Sequence, residues 1–257
     1  MRVLKLSLLG LAAFLVALVA LFPAAPIVDR LRPSLGPVAL EGVSGRAFSG
    51  RVARARSTDD LLPLELSDVT WRLAPGALPG GGGAHVGFAG YGGTGEGLVR
   101  RTWGGDLLVE NFRLTGVSAK ALEPLLPAPI AAFDGRIEAE IPELAIVDGL
   151  LARLAGRFVW IGAVLERPVG VRFGDVEITV APESAELHAG TIEAGGGDVA
   201  ASGSFTLAPN GDYTLDLVAT PSGEAPAAVR ETLGRVARPD SQGRYRIRQS
   251  GNVNRLM

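Results

Sequence analysis

The chain has 257 residues, 47% of them hydrophobic and 20% charged, which is the composition of a folded rather than a disordered protein. Its 25 Lys and Arg against 27 Asp and Glu leave a formal charge of -2, which excludes the basic field that nucleic acid requires. Cysteine is absent, which excludes disulfides and thiolate zinc sites, and 35 glycines with 17 prolines but 6% aromatics favour short strands joined by tight turns.

The first element is an apolar run. After Arg2 and Lys5, no charged residue occurs from Leu6 to Val28. At the rise of an α-helix, roughly 20 such residues cross a hydrocarbon core. A removable signal peptide needs small residues one and three positions before the cut. Cleavage after Ala25, Ala24 or Ala20 would place Pro23, Phe22 or Leu18 at the third position, and none of these suits. The sequence therefore predicts an uncleaved single-pass transmembrane anchor over residues 1–30 and one body over residues 31–257. Arg2 and Lys5 favour a cytoplasmic start, with Arg30 and Arg32 close on the far side.

Beyond the anchor the rhythm is period two, the signature of strands with one apolar and one solvated face. Strands are predicted over 46–56, 64–73, 105–114, 133–141, 154–165, 171–180, 185–194, 199–207, 213–217 and 245–247. In the fourth of these, Phe133, Gly135, Ile137, Ala139 and Ile141 alternate with Asp134, Arg136, Glu138 and Glu140. Around Phe158, Val159, Trp160 and Ile161 both faces are apolar, which predicts a central or doubly covered strand. Asn210-Gly211 is a hairpin signal, Asp134-Gly135 opens a strand, and Gly195 to Gly197 separates two more. The Gly-rich stretch 76–97 fits either a flexible loop or thin strands. Two short helices are predicted: 118–126, opened by Ser118 and stopped by Pro127, and 226–237, opened by Pro226 with Ala227, Val229, Leu233 and Val236 as its apolar set. The fold class that results is mainly β: a transmembrane helix, then a curved antiparallel sheet with two short helices.

The search for reactive groups yields no catalytic, metal-binding or cofactor-binding assignment and no recognisable small-molecule substrate. The two histidines, His85 and His188, are far apart, and His188 alternates with Leu187 and Ala189, which predicts a solvent-facing ring. Gly90, Gly92 and Gly95 satisfy Gly-x-Gly-x-x-Gly, but a strand follows where a dinucleotide site needs a helix. Glu138 and Glu140 share a strand face with Arg136, which reads as a self-compensating polar surface rather than an acid pair. No serine lies in a Gly-x-Ser-x-Gly elbow. An uncovered apolar face could instead hold acyl chains, an alternative to ordinary core packing.

Four patterns, in order, resemble protein N of the bacterial type II secretion system. They are Leu40-Glu41-Gly42-Val43-Ser44-Gly45-Arg46-Ala47-Phe48-Ser49-Gly50-Arg51, Leu66 to Pro75 around Trp71-Arg72-Leu73-Ala74-Pro75, Leu154 to Trp160, and Gly243-Arg244-Tyr245-Arg246-Ile247. Phe48 stands where that family usually carries Trp, keeping a ring and dropping the indole donor. The resemblance implies a non-enzymatic inner-membrane accessory with its body in the periplasm. Its implied partners are other secretion-system components and the inner-membrane lipid, and it implies no cofactor. Phe48, Trp71 and Trp160 are the candidate core or interface anchors. The alternative is a membrane-anchored, AsmA-like envelope domain that binds or transfers lipid, whose curved β architecture is similar.

Overall fold

The computed structural model describes residues 23–31, 38–57, 64–74, 81–125, 132–167, 170–184 and 186–253. Thirteen strands run in chain order across one antiparallel sheet, each paired with the next. They are β1 (Val38–Arg46), β2 (Ser49–Ser57), β3 (Glu65–Leu73), β4 (Gly81–Gly90), β5 (Gly93–Thr102), β6 (Leu107–Ser118) and β7 (Ala132–Val147). The second half holds β8 (Leu150–Arg167), β9 (Val171–Ser184), β10 (Leu187–Gly196), β11 (Val199–Leu207), β12 (Asp212–Pro221) and β13 (Tyr245–Asn252). Helix α1 (Ala24–Leu31) lies against β1, a 3-10 helix spans Lys120–Leu125, and α2 (Ala227–Val236) precedes β13.

The register explains why strict alternation was needed along every strand. From β4 to β13 one row of directly opposed residues is apolar throughout: Phe88, Gly95, Leu114, Ala139, Phe158, Ile178, Ile192, Gly203, Leu217, Ile247. One residue further along, the opposite face carries Glu96, Arg113, Glu140, Arg157, Thr179, Thr191, Ser204, Asp216 and Arg248. A slip of one residue anywhere would drive this polar row into the apolar one, so the pattern pins the pairing. Cross-strand ion pairs reinforce it, with Arg113 to Glu140 at 3.6 Å and Arg157 to Glu177 at 2.6 Å. Glu140 of the β7 glutamate pair is thus compensated from the neighbouring strand β6.

Among the described residues, the one hydrophobic cluster under a helix lies at the C-terminal end of the apolar face. There α2 places Val229 on Val171, Val199, Ala219 and Tyr245, with Leu233 and Ala237 at the margin. Elsewhere on that face the large apolar side chains are half-buried, and apart from Tyr245 the fully buried hydrophobic side chains among the described residues are Ala and Val. A single layer has no second sheet to enclose large side chains, so these stay partly open.

Several expectations change. The helix predicted over 118–126 is instead a 3-10 helix over Lys120–Leu125, beside which Ser118 Oγ accepts from the Ala121 amide at 3.4 Å; a proline at 124 disfavours an α-helical turn, in which its ring would meet the carbonyl four residues back. Val236 is exposed, and Ala237 rather than Val236 meets the core. Asp134-Gly135 lies inside β7 as a bulge, with Gly135 at φ +113°, instead of opening the strand. The Gly-rich stretch pairs as β4 and β5, while residues 75–80 lie outside the described ones. The strand around Phe158 to Ile161 is central, and both its faces are half-buried. Most of the predicted anchor, residues 1–22, lies outside the described residues; its last part enters α1. Among the described residues, no helix is long and apolar enough to cross a membrane.

Candidate functional site

Large rings on the apolar face lie flat on glycines of the neighbouring strand. Trp71 covers Gly50, Phe88 covers Gly95 and Phe205 covers Gly190, each pair directly opposed in register. A β-carbon at any of these glycines would overlap the ring, so the glycine is what lets the ring lie down. This arrangement fills the face thinly.

Trp71 is half-buried, and its Nε1–H donates to the Ala47 carbonyl at 3.1 Å. The same turn accepts from the Leu73 amide through the Phe48 carbonyl at 2.8 Å, so β3 closes on the β1–β2 hairpin through both groups. Phe48 itself is 38% exposed at the tip. The structure therefore brings Phe48 and Trp71 together beside a cavity of about 670 Å³, lined by Gly50, Trp71, Val86, Gly97 and the exposed His85. Trp160 is five strands away. Its Nε1–H donates to the Asp134 carbonyl at 2.9 Å, and its ring meets Phe133 edge-on at 5.8 Å between centroids. With both indole donors engaged by backbone, Trp71 and Trp160 lock hairpins, whereas Phe48 presents a ring to the outside.

His188 overturns its expectation. The ring is completely buried, with Nδ1 at 3.3 Å from the Leu207 carbonyl oxygen and Nε2 without a partner. Its register partners are Pro182 and Leu207 on the apolar face, in unbroken alternation with Gly190 and Ile192; the bulge beside it, between Leu187 and His188, skips a residue of β9. Gly190, Ile192 and Ala194 further along β10 share that face, whereas Thr191 and Glu193 do not, and reading the strand from its far end would have found it.

Two acidic residues unmarked by any motif tie the sheet together. Asp198, buried in the β10–β11 turn, accepts from the Arg172 amide at 2.9 Å and from its guanidinium at 2.8 Å and 3.2 Å. The Arg172 hydrogen bonds hold its carboxyl below the usual carboxylate value. Asp216 on β12 accepts from Arg246 at 2.6 Å and 2.8 Å and from Arg248 at 3.2 Å, across the last strand pair. Its pKa is lowered from 3.8 to about 2, first by the Arg246 hydrogen bond, then, against desolvation, by Arg248. A folded value below the unfolded one contributes stability above about pH 4 that is lost as pH falls toward 2. The full chain is expected to melt at progressively lower temperature over that window, and Asp216→Asn to flatten the fall; equal acid sensitivity in both would show that the pairing does not matter.

Among the described residues, no cluster of three or more His, Cys, Asp or Glu could hold a metal ion. What the geometry defines is an open-sheet β protein with a charge-laddered face, a thinly filled apolar face, and β1 and β13 as its edges. The sequence profile of type II secretion system (T2SS) protein N matches residues 36–248, from the start of β1 into β13, and the chain belongs to that family. The type II secretion system protein N of Aeromonas hydrophila is 28% identical over 254 residues, covering 96% of this chain and 98% of that protein. The protein of the same name from Vibrio cholerae serotype O1 is 26% identical over 227 residues, covering 83% and 84%. No solved structure matches the chain significantly.

Proposed function

We propose that the chain is an accessory subunit of the type II secretion machine, anchored in the inner membrane with its sheet in the periplasm. It works there through contacts with other subunits rather than by chemistry, in export of folded proteins across the outer membrane. The observation that carries this reading is the family match, which spans almost the whole sheet rather than one motif. The uncharged run from Leu6 to Val28 supports the anchor. The charged face, the part of the apolar face away from α2, and two strand edges supply contact surface. Trp71 and Trp160 act in this reading as packing residues, and Phe48 as a contact residue.

Deletion of the gene tests the proposal. Exported enzymes are expected to accumulate in the periplasm while the permeability barrier stays intact, and the full chain supplied in trans restores export. Normal export with a leaky barrier would overturn it in favour of the lipid-binding alternative, in which the thinly filled apolar face carries acyl chains.

A further inference from the structure

We infer that one rim of the sheet rests on the bilayer surface, with Phe48, Leu73, Trp103, Val147 and Leu150 inserted at headgroup level; this rests on the anchored reading above. In an antiparallel meander, every hairpin that leads from an odd to an even strand turns at the same rim. Phe48 sits at the β1–β2 tip, Leu73 at the end of β3, Trp103 in the β5–β6 turn, and Val147 and Leu150 around the β7–β8 turn. Among the described residues, these are five of the six large hydrophobic residues that stand exposed; the sixth, Val236, is on α2 toward the opposite rim. Scattered exposed apolar residues need no explanation, but turn tips normally carry small polar residues; the rim from β1 to β8 carries these five large apolar ones, whereas the β9–β10 and β11–β12 turns, with Glu186 and Asn210, follow the usual rule. Trp103 is 76% exposed and Leu150 50%.

Two further observations select lipid as the occupant. Pro23, which belongs to the uncharged stretch from Leu6 to Val28, forms a bridge with Arg46, one residue from the β1–β2 turn, and so lies at this same rim. Arg46, Arg72 and Arg101 stand exposed at the same strand ends, where guanidinium groups would meet lipid phosphates while the Trp103 ring lies at the interface. Apolar tips from β1 to β8 flanked by arginines, beside Pro23, match the layered chemistry of a membrane surface.

The chain has no cysteine, so single-cysteine variants report one site each. Gly104→Cys and Leu150→Cys mark this rim; Gly223→Cys and Val236→Cys, both exposed, mark the other. Each full-length variant carries an environment-sensitive fluorophore in vesicles of phosphatidylethanolamine and phosphatidylglycerol, with headgroup spin-labelled lipid as quencher. Blue-shifted emission with several-fold stronger quenching at 104 and 150 than at 223 and 236 is the expected result. Water-like emission at all four positions in a chain that still floats with the vesicles overturns the rim contact and leaves the anchor standing. A chain that fails to float overturns both. A blue shift at 104 and 150 without lipid quenching, rising with the protein-to-lipid ratio, assigns the rim to a second copy and also overturns the inference.

Discussion

Gly190→Val is expected to lower the melting temperature of the full chain by roughly 6–12 °C. Gly190 lies between Val180 and Phe205 in register, and the Phe205 ring crosses it. A β-carbon there would overlap both that ring and the Thr179 carbonyl oxygen, so moving the ring relieves only half of the conflict. Overpacking of this kind costs about 1–3 kcal/mol, and a backbone obstacle places the site at the upper end. Intrinsic preference argues the other way, since valine favours strands over glycine. The sign of the change therefore decides between packing and propensity. Gly195→Ala on the same strand, with open space around the new carbon, is the control and should melt close to the parent. Differential scanning calorimetry that placed Gly190→Val at or above the parent would refute the flat-ring packing.

Asp198→Ala should cause the largest loss of stability among the acidic residues. Exposed cross-strand pairs such as Arg157 with Glu177 contribute little, because water solvates each partner well when the other is removed. Asp198 differs because its carboxylate is enclosed and accepts from the Arg172 amide as well as the guanidinium. Two backbone bonds flank it, Asp198 N–H to the Arg172 carbonyl at 2.6 Å and Ser222 N–H to the Asp198 carbonyl at 2.8 Å. The turn thereby joins β9, β11 and the end of β12 beside Val171 and Val199 of the α2 core. Removing the carboxylate leaves the Arg172 amide without its acceptor next to that core. Asp198→Asn keeps a neutral acceptor and should fall between parent and Asp198→Ala, while Glu177→Ala should differ little from the parent. Thermal melts that ranked Glu177→Ala below Asp198→Ala would remove the clamp from the account.

The strand pattern of this protein was legible in its residues because a single-layer meander repeats one local rule. Phe205 alternates with Ser204 and Thr206, and the structure pairs it with Leu215 on one face while Ser204 faces Asp216 on the other. Asn210-Gly211 reverses the chain as expected, with Gly211 at φ +88° and the Asp212 amide donating to Asn210 Oδ1 at 3.0 Å. The order of the four family patterns was likewise readable without coordinates. The strands β4 and β5 were not assigned as such, because glycine weakens the alternation on which the reading depends.

Tertiary structure decided whatever depended on a distant partner. His188 reads as solvent-facing from its two neighbours, yet it alternates with Gly190 and Ile192, whose face is set by partners on β9 and β11. Asp198 looks like any turn aspartate until Arg172, 26 positions earlier, is folded against it. Trp103 and Leu150 share a rim only because hairpins of the same parity turn at one end. Alternation is a local steric property of the backbone and so is written along the chain. Which residues meet across turns is a property of the assembled sheet, where each register shift changes the neighbours of everything beyond it.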